Sequence, residues 1–570
     1  MRLAPLMILC AALCAAAPLA AARIEPAPLL QPSTRMPEGS GPWVVRAHFD
    51  SDRALALLLR RAAPWRVDRK AGVLIIEVDN RFEYQRLLDE GFRVAIDPDL
   101  TQAVYAPVVV SPDQITGIPG YTCYRTVEES IASAQQLVAQ HPDVAELVDI
   151  GDSWKKVQNP ALGHDLWVLR LTNRSIGGVK PVHYLQGGLH AREYVTAETV
   201  LRYGEWLAGQ YGNNPDVTWV LDHQEVHILL HANPDGRKVA EISATRMQRK
   251  NRDENFCPTG GTSLGVDLNR NFPFDWGGSG SSGSDCSDIY RGPTPSSEVE
   301  SQAIIAYLRS IFPDQRAEGP GVDLVTPISP DATGIYMDVH SNAATTWWSW
   351  GNTNVPAPNA VALQTLGRKI AYYNGLTPEQ GSLGGAIGGA TDDFTYGTLG
   401  VAAFTIEMAG SSFFPSCTTY EASLAQPVIN GFWMASRLAR APYRWAAGPE
   451  LTNLSAALAG STVTFSARAD DARFNNTEGT EPAQSVTGVA VYLQPPWQPG
   501  VTPLSQMQPV DGTWNAAAEN VTVDVPVAAL QNGRQLVYLR ATDAAGNQGP
   551  VAAVFVTVGA PDPLFANGYE

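Results

Sequence analysis

The chain has 570 residues, of which 44% are hydrophobic and 17% charged, with 14 Trp and 19 Tyr. Single hydrophobic cores stop growing near ~250 to 300 residues, so two or more folded domains are expected and wholesale disorder is excluded. With 40 Lys and Arg against 57 Asp and Glu the net charge is -17, which makes nucleic acid and anionic membrane surfaces poor partners.

The first 22 residues have the pattern of a cleavable signal peptide. Arg2 precedes an apolar stretch over residues 3–22, Pro18 interrupts that stretch, and the alanines at 20–22 offer small residues to signal peptidase. A membrane anchor is the weaker alternative, because the stretch is short and no later segment has ~18 consecutive apolar residues. We expect an exported protein, secreted or periplasmic, without a membrane span.

Residues 23–109 are predicted to contain a Pro- and Ala-rich linker followed by a small domain. From Trp43 to about residue 100, strand-like and helical segments alternate in the order β-α-β-α-β, which predicts a small α/β domain. An ordinary accessory lobe has the same composition. The predicted strands are 44–48, 72–78 and 94–96, and the predicted helices are 54–61 and 82–90.

Residues 110–446 alternate helices with apolar strands. Thr126-x-x-Glu129 is a capping box that predicts a helix ended by Pro142, and Ser297-x-x-Glu300 predicts a second helix start. This alternation predicts an α/β domain with a mixed sheet covered by helices and an active site where strands end. The predicted strands are 166–171, 182–185, 226–230, 335–339 and 401–406, and the predicted helices are 197–211, 298–309 and 360–374.

Residues 447–559 consist of short β-rich segments separated by Gly, Pro, Asp and Asn. Their spacing is typical of a β-sandwich, and the stretch 538–547 resembles the last hairpin of immunoglobulin-like and fibronectin-like modules. Residues 560–570 are predicted to be a flexible tail. The predicted strands are 463–467, 489–493, 521–525, 536–541 and 551–558.

Four cysteines remain once the signal peptide is removed: Cys123, Cys257, Cys286 and Cys417. In an oxidising compartment they predict two disulfides, and the residues alone leave all three possible connectivities open.

The chemistry of the chain is concentrated where apolar strands end. His190 and Glu193, three residues apart at a strand-to-helix turn, are able to bring an imidazole and a carboxylate to one ion. A lone His-x-x-Glu is more often a surface accident than a metal site. His340, at the end of another apolar strand, supplies the third ligand that a catalytic His2Glu zinc site needs.

Several short motifs occur along the chain in one fixed order. They are His190-Ala-Arg-Glu193, Asn233-Pro-Asp-Gly236, Gln248-Arg-Lys-Asn251, Gly265-Val-Asp-Leu-Asn-Arg-Asn-Phe272, Tyr290-Arg-Gly292, Ser297-Glu-Val-Glu300, His340-Ser341 and Phe404-Thr-Ile-Glu407. This series resembles the zinc metallocarboxypeptidases of the carboxypeptidase A and B type, over about residues 110–443. The resemblance implies a secreted peptide hydrolase with a metallocarboxypeptidase fold and one zinc ion.

The resemblance also implies roles for individual residues. His190, Glu193 and His340 correspond to the zinc ligands, and Glu407 corresponds to the general base that takes a proton from water and passes it to the leaving amine. Arg249 corresponds to the residue that stabilises the tetrahedral intermediate. Outside this context Glu407 is equally a structural salt-bridge partner and Arg249 a solvated charge.

An exopeptidase must recognise a free carboxylate. The resemblance assigns this to Arg270 with the amide of Asn269, because a planar guanidinium binds a carboxylate through two hydrogen bonds. It places Arg192 further out along the substrate. It also implies a Cys257–Cys286 disulfide, which leaves Cys123 to pair with Cys417.

Substrate preference depends on two positions in residues 383–394. Asp392, fifteen positions before Glu407, corresponds to the base of the side-chain pocket, where a carboxylate favours C-terminal Lys or Arg over apolar residues. A loop hydrogen bond and a dual basic and apolar preference are the alternatives. Many relatives carry a mobile Tyr that closes over the substrate, and here Gly385 stands near its place.

We therefore expect a monomeric, zinc-dependent carboxypeptidase acting on the C-termini of peptides and proteins. Residues 23–109 resemble a propeptide in position, since they precede the catalytic domain and are able to cover its cleft. Two rivals remain at this stage, a cell-wall peptide hydrolase of the same family and a binding protein with a vestigial enzyme domain.

Overall fold

The computed structural model describes residues 36–59, 64–316, 325–409 and 412–559. The predicted signal peptide and the predicted tail at 560–570 lie outside the described residues. The described strands form four sheets, which follow one another along the chain.

The first sheet belongs to the N-terminal segment and has four antiparallel strands in the order β2-β3-β1-β4. Apolar side chains from its strands and from two helices share a small core that includes Val45, Leu58 and Leu74. The predicted β-α-β-α-β order is present, with β2 and α3 in addition. The elements are β1 (Trp43–His48), α1 (Asp52–Leu59), β2 (Arg66–Asp68), β3 (Val73–Val78), α2 (Arg81–Asp89), β4 (Arg93–Ile96) and α3 (Pro98–Tyr105).

The second sheet is the large one and has seven strands. It follows the order β10-β9-β7-β8-β6-β5, and β11 also pairs with β9. Its elements are α4 (Val127–Gln140), β5 (Ala145–Asp152), α5 (Trp154–Gln158), β6 (Asp165–Leu171), β7 (Val182–Gln186), α6 (Tyr194–Gln210), α7 (Pro215–His223), β8 (Glu225–Leu229), α8 (Pro234–Ala240), α9 (Val299–Ile311), β9 (Ile335–Trp348), α10 (Ala360–Asn374), β10 (Thr377–Gln380), α11 (Thr391–Leu399), β11 (Ala402–Ala409), α12 (Cys417–Thr419), α13 (Ala425–Leu438) and α14 (Pro442–Trp445).

This sheet is mixed, as predicted. β7, β8, β9, β10 and β11 pair in parallel, whereas β5 and β6 pair antiparallel. Every residue of β7 is buried, as expected of a parallel strand covered on both faces. Parallel pairing brings the carboxyl ends of β7, β9 and β11 to one edge of the sheet.

The two predicted capping boxes have different outcomes. Thr126 and Glu129 form the reciprocal bonds of a capping box at the start of α4. The prediction at Ser297 is wrong, because α9 begins after Glu298, which makes no side-chain cap bond. The Glu300 carboxylate instead accepts a hydrogen bond from the backbone N–H of Trp154 at 2.8 Å.

The last two sheets are antiparallel, with four strands each and a shared apolar core that contains Phe465, Val489 and Leu539. They form a C-terminal β domain, and every predicted strand of this region is present. Its strands are β12 (Glu450–Ala459), β13 (Thr462–Asp470), β14 (Val486–Tyr492), β15 (Ser505–Gln506), β16 (Gln508–Pro509), β17 (Ala518–Pro526), β18 (Gly533–Asp543) and β19 (Ala552–Val558).

Buried contacts join the C-terminal β domain to the large sheet's helices. Lys369 of α10 and Glu450 of β12 are both fully buried, and their Nζ and Oε1 atoms are 3.3 Å apart. Trp497 packs against Trp219 and Trp445, with ring centroids 5.4 and 6.0 Å apart. A buried ion pair and an aromatic cluster therefore hold this domain against α7, α10 and α14.

Two disulfides are present, Cys123–Cys417 and Cys257–Cys286. This is the pairing that the family resemblance implied. Cys123 precedes α4 and Cys417 opens α12, so the first bridge ties the start of the large domain to its end. No helix among the described residues has both the length and the apolar character needed to cross a membrane.

Candidate active site

The site begins at the turn between β7 and α6. Gly187 permits a close approach, because a Cβ there would lie 2.9 Å from the Cα of Ala197. Gly188 has φ +67°, a conformation that favours glycine. The turn places Glu193 at the N-cap of α6 and His190 three residues before Glu193.

Three buried side chains from two parts of the fold converge here. His190 and Glu193 come from the turn after β7, and His340 comes from β9; they are 5%, 2% and 1% exposed. The Nδ1 atoms of the two histidines are 3.0 Å apart. Glu193 Oε1 lies 2.8 Å from His190 Nδ1, and its Oε2 lies 3.2 Å from His340 Nδ1. One ligand atom from each residue falls within 4.8 Å of the others.

The outer nitrogens of both imidazoles face carboxylates. His190 Nε2 is 3.2 Å from Asp267 Oδ1, and His340 Nε2 is 3.0 Å from Asp338 Oδ2. A ring that donates from Nε2 keeps a lone pair on Nδ1, so two lone pairs and the Glu193 carboxylate point at one small space. This donor set fits a cation, and a His2Glu set is typical of catalytic zinc.

Burial and neighbouring charges determine the protonation of these ligands. Burial alone opposes the ionised form of Glu193, but the charges of His190 and His340 outweigh it and hold the pKa of Glu193 below its usual range. Burial and the Arg249 charge lower the pKa of His190. Burial opposes the charged form of His340, but the Asp338 and Glu193 carboxylates outweigh it and raise the pKa of His340. Metals bind the ionised carboxylate and imidazoles with a free ring nitrogen, so metal binding at this site would release a proton from His340.

Glu407 lies in β11, opposite His340 in the parallel register with β9. It is partly buried, lines the same cavity as the three ligands, and its Oε2 accepts a hydrogen bond from the N–H of Ala343 at 3.4 Å. Burial raises the pKa of Glu407 to about 7, against the opposing effect of His340. A carboxylate with a pKa near neutrality is suited to exchange protons at physiological pH.

Arg249 and Arg270 also line this cavity. The Nη2 of Arg249 donates to Asp267 Oδ2 at 2.9 Å, and its Nη1 lies 3.2 Å from His190 Nδ1. Arg270 donates to the carbonyls of Gly280 and Asn269 at 2.7 and 2.8 Å. Burial lowers the pKa of Arg270 to about 10, which leaves it charged at neutral pH.

Comparisons with known proteins agree with this geometry. The sequence profile of the family described as zinc carboxypeptidase matches residues 131–425, more than half of the chain. The chain belongs to the zinc carboxypeptidase family. This confirms the resemblance seen in the motifs, and it makes zinc the ion that the His190, Glu193 and His340 group fits.

Individual relatives match over part of their length. Carboxypeptidase A2 of Mus musculus is 37% identical over 190 residues, which are 33% of this chain and 42% of that protein. A zinc carboxypeptidase of Saccharothrix mutabilis subsp. capreolus is 29% identical over 307 residues, 52% of this chain and 64% of the other. The chain thus spans about half the length of these relatives.

The solved structure of carboxypeptidase A from Helicoverpa armigera is similar in fold, with a TM-score of 0.55 and 21% identity. The alignment covers 70% of this chain and 98% of the insect chain. It supports the carboxypeptidase-like α/β fold with a mixed sheet.

Beyond the His190, Glu193 and His340 group, the cavity extends to the first turn of α11. Asp392 lines it, and its Oδ2 accepts a hydrogen bond from the Thr405 hydroxyl at 2.9 Å. Its neighbour Asp393 turns away and accepts the backbone N–H groups of Gly351 and Asn352 at 2.9 and 2.8 Å. The two adjacent carboxylates therefore have different surroundings, and only Asp392 faces the cavity.

Arg192 does not line the cavity, unlike the other predicted site residues. Its guanidinium is 1% exposed and lies 3.6 Å from Glu77 and 3.5 Å from Asp288. It also stacks on Phe413, 4.4 Å from the ring centroid, with Trp65 at 5.9 Å. Since Glu77 and Trp65 belong to the N-terminal sheet region, this region covers Arg192, and its role toward substrate stays a prediction.

The sequence analysis missed two groups of site residues. Asp267 and Asp338 hold the imidazoles, and the only signal for Asp338 was its position two residues before His340 in an apolar strand. The segment Pro64–Val67, at the start of β2, closes one side of the cavity. No local pattern predicts that contact, because it depends on how two separate sheets pack.

We predict that substitutions distinguish the zinc ligand His190 from the general base Glu407. Glu407→Gln keeps all three zinc ligands, so the protein should retain stoichiometric zinc while turnover falls by about 10²- to 10⁴-fold, the contribution typical of a general base. His190→Ala deletes a ligand and should lose zinc. Metal content after dialysis against a chelator, measured beside turnover of one peptide, checks both. Near-native turnover of Glu407→Gln would show that the base is another group.

Proposed function

We propose that this protein is an exported, zinc-dependent carboxypeptidase that removes single residues from the C-termini of peptides and proteins. The observation that carries this is the meeting of three sets of side chains in one cavity. They are the ligand set of His190, Glu193 and His340, the carboxylate of Glu407, and the arginines Arg249 and Arg270. Membership of the zinc carboxypeptidase family supports the same conclusion.

In this proposal zinc, when bound to the three ligands, supplies a Lewis acid at the scissile carbonyl. Glu407 accepts a proton from the attacking water and donates it to the leaving amine. Arg249, held by Asp267, places its guanidinium beside His190, where it stabilises negative charge as the carbonyl carbon becomes tetrahedral. Water lost from this buried space strengthens each of these interactions.

Arg270 and Asn269 are proposed to bind the free carboxylate of the substrate. Arg270 is buried and is held in place by two backbone carbonyls, so little side-chain entropy is lost when it binds. The Asn269 side chain is fixed by the backbone N–H of Thr391, which donates to its Oδ1 at 3.1 Å. A guanidinium and an amide fixed in this way suit a planar anion.

We predict that Arg270→Ala raises KM for peptides with a free C-terminus and leaves kcat less affected, because a binding contact is lost. A loss of about 2 to 5 kcal/mol is typical when one partner of a buried charge pair is removed. The same peptides with amidated C-termini provide the control, since they lack the carboxylate. An equal effect on both sets would contradict the assignment.

The pocket is proposed to prefer Lys and Arg, or to accept both basic and apolar residues. Asp392 is buried, and burial raises its pKa, so an uncompensated charge there is unfavourable. A cationic side chain in the cavity would supply the missing charge, whereas Leu or Phe would leave the carboxylate without a cationic partner.

We predict that Asp392→Ile shifts the ranking of kcat/KM from Arg and Lys toward Leu and Phe. An unpaired carboxylate opposite an apolar side chain costs on the order of a few kcal/mol, and the substitution removes it. Asp393→Asn is the matched control, since its carboxylate faces the backbone of Gly351 instead of the cavity. A wild-type preference for Phe, or an unchanged ranking in Asp392→Ile, would remove the assignment.

Residues 23–109 are proposed to act as an inhibitory propeptide-like domain. Pro64, Trp65, Arg66 and Val67 line the cavity beside the ligands. Leu59 of α1 packs directly on Gly385, where an added Cβ would come within 2.1 Å of Leu59 Cδ1. The position at which many relatives carry a closing Tyr is thus covered by the N-terminal segment.

We predict that separating this domain raises activity. Val109 is 89% exposed in the connection after α3, so a sequence-specific protease site placed at 108–111 should be cut without unfolding either part. If the domain blocks the cleft, cleavage and removal of the released domain should raise kcat/KM about 10-fold or more, since only uncovered molecules bind substrate. The uncut variant is the control. Unchanged activity after removal would end the inhibitory hypothesis.

The protein is also proposed to be an exported monomer, and its disulfides support the export. Two disulfides are typical of oxidising compartments, which agrees with the predicted signal peptide and a secreted or periplasmic location. The two C-terminal sheets are proposed to form an immunoglobulin-like β-sandwich over residues 447–559, after a catalytic domain over 110–446. Neither rival function is favoured, because the matched relatives are carboxypeptidases and the full set of catalytic side chains shares one cavity.

A further inference from the structure

Asp338 is a buried carboxylate that the catalytic scheme does not use. It lies in β9 two residues before His340, so both side chains project from the same face of the strand. It is fully buried, and its Oδ2 lies 3.0 Å from His340 Nε2. The same oxygen accepts a hydrogen bond from the Thr391 hydroxyl at 2.6 Å. Its Oδ1 has no hydrogen-bond partner among the described residues.

A carboxylate in such surroundings lowers the stability of the fold, so we expect it to serve a function. Burying a carboxylate with one oxygen unsatisfied destabilises a fold, and an apolar residue at this strand position would avoid that cost. The Thr391 hydroxyl donates to it, and the carboxylates of Asp392 and Asp393 follow Thr391 in the first turn of α11. Among the described residues no Lys or Arg lies within ion-pair distance of Asp338, which faces the imidazole of His340.

We propose that Asp338 is a positioning residue for the zinc ligand His340. It accepts a hydrogen bond from the Nε2–H group, which leaves the Nδ1 lone pair for the metal. The same hydrogen bond fixes the angle of the ring. The proposal rests on the proposed function of the site. Its counterpart is Asp267, which holds His190 in the same way at 3.2 Å. A carboxylate behind a ligating imidazole makes the ligand more basic and strengthens metal binding.

Asp338 also connects the metal ligand with the substrate side of the cavity. Thr391, which donates to Asp338, is the first residue of α11, and its backbone N–H donates to Asn269 Oδ1 at 3.1 Å. The next residue is Asp392 at the pocket. Through Thr391, the Asp338 carboxylate therefore connects the ligand His340 with Asn269 and Asp392, the two proposed substrate contacts.

The test measures zinc affinity rather than activity. Asp338→Asn is nearly isosteric and retains an acceptor for both hydrogen bonds while removing the charge; Asp338→Ala removes the acceptor as well. Competition against a chromogenic chelator should show that zinc affinity falls by about 10- to 100-fold, the range typical for such outer carboxylates. Asp338→Ala should bind zinc more weakly than Asp338→Asn. The absorption bands of the cobalt-substituted proteins should shift, because the ring angle changes.

Asp235→Asn is the matched control. Asp235 is equally buried and accepts hydrogen bonds from the Ser153 hydroxyl and the Lys155 backbone, both at 2.8 Å, without contacting a zinc ligand. It should bind zinc like the wild type. The inference is overturned if both Asp338 variants stay within about twofold of wild-type affinity, or if Asp235→Asn loses as much. A wild-type protein that binds no zinc would instead refute the proposed function.

Discussion

Parallel pairing of β7, β9 and β11 is the constraint on which the site depends. It brings the end of β7 and Glu407 of β11 to the level of His340 in β9, although His190 and Glu407 are more than two hundred residues apart along the chain. The glycines after β7 then let the chain turn sharply into α6, so that Glu193 returns to His190. Without the common strand direction, no single turn could assemble two imidazoles and two carboxylates in one cavity.

The second requirement is that the charges of the buried side chains compensate one another, because little water is present to solvate them. Asp267 is fully buried and faces three potential cations: Arg249 at 2.9 Å, His190 at 3.2 Å and Arg270 at 3.9 Å. These charges hold the pKa of Asp267 well below its usual range although burial opposes ionisation. Removing one partner from such a network leaves another buried charge uncompensated, so a substitution of Arg249 or Arg270 is expected to lower the stability of the fold as well.

Features of this arrangement that depend on contacts close in sequence could be predicted, and features that depend on distant contacts could not. The alternation of helices and apolar strands predicted the mixed sheet, and the resemblance of the ordered motifs to a known family implied the residues that line the cavity. The start of α9 was predicted to within one residue, but its capping box was wrong because Glu298 and Glu300 bond to Asn251 and Trp154, which lie far away in sequence. The burial of Arg192 against Trp65 and Phe413 was equally beyond prediction, since Trp65 comes from the N-terminal segment and Phe413 from the chain after β11, both far from Arg192 in sequence.

The contact between Leu59 and Gly385 joins the N-terminal segment to the loop before α11. A side chain at position 385 would collide with Leu59 while α1 is in place, so a glycine is compatible with this arrangement. In the proposed function, Arg270, Asn269 and Asp392 recognise the substrate. The hydrogen bonds of Thr391 to Asn269 and Asp338 hold this set in place, which reduces the entropy that would be lost when a substrate binds.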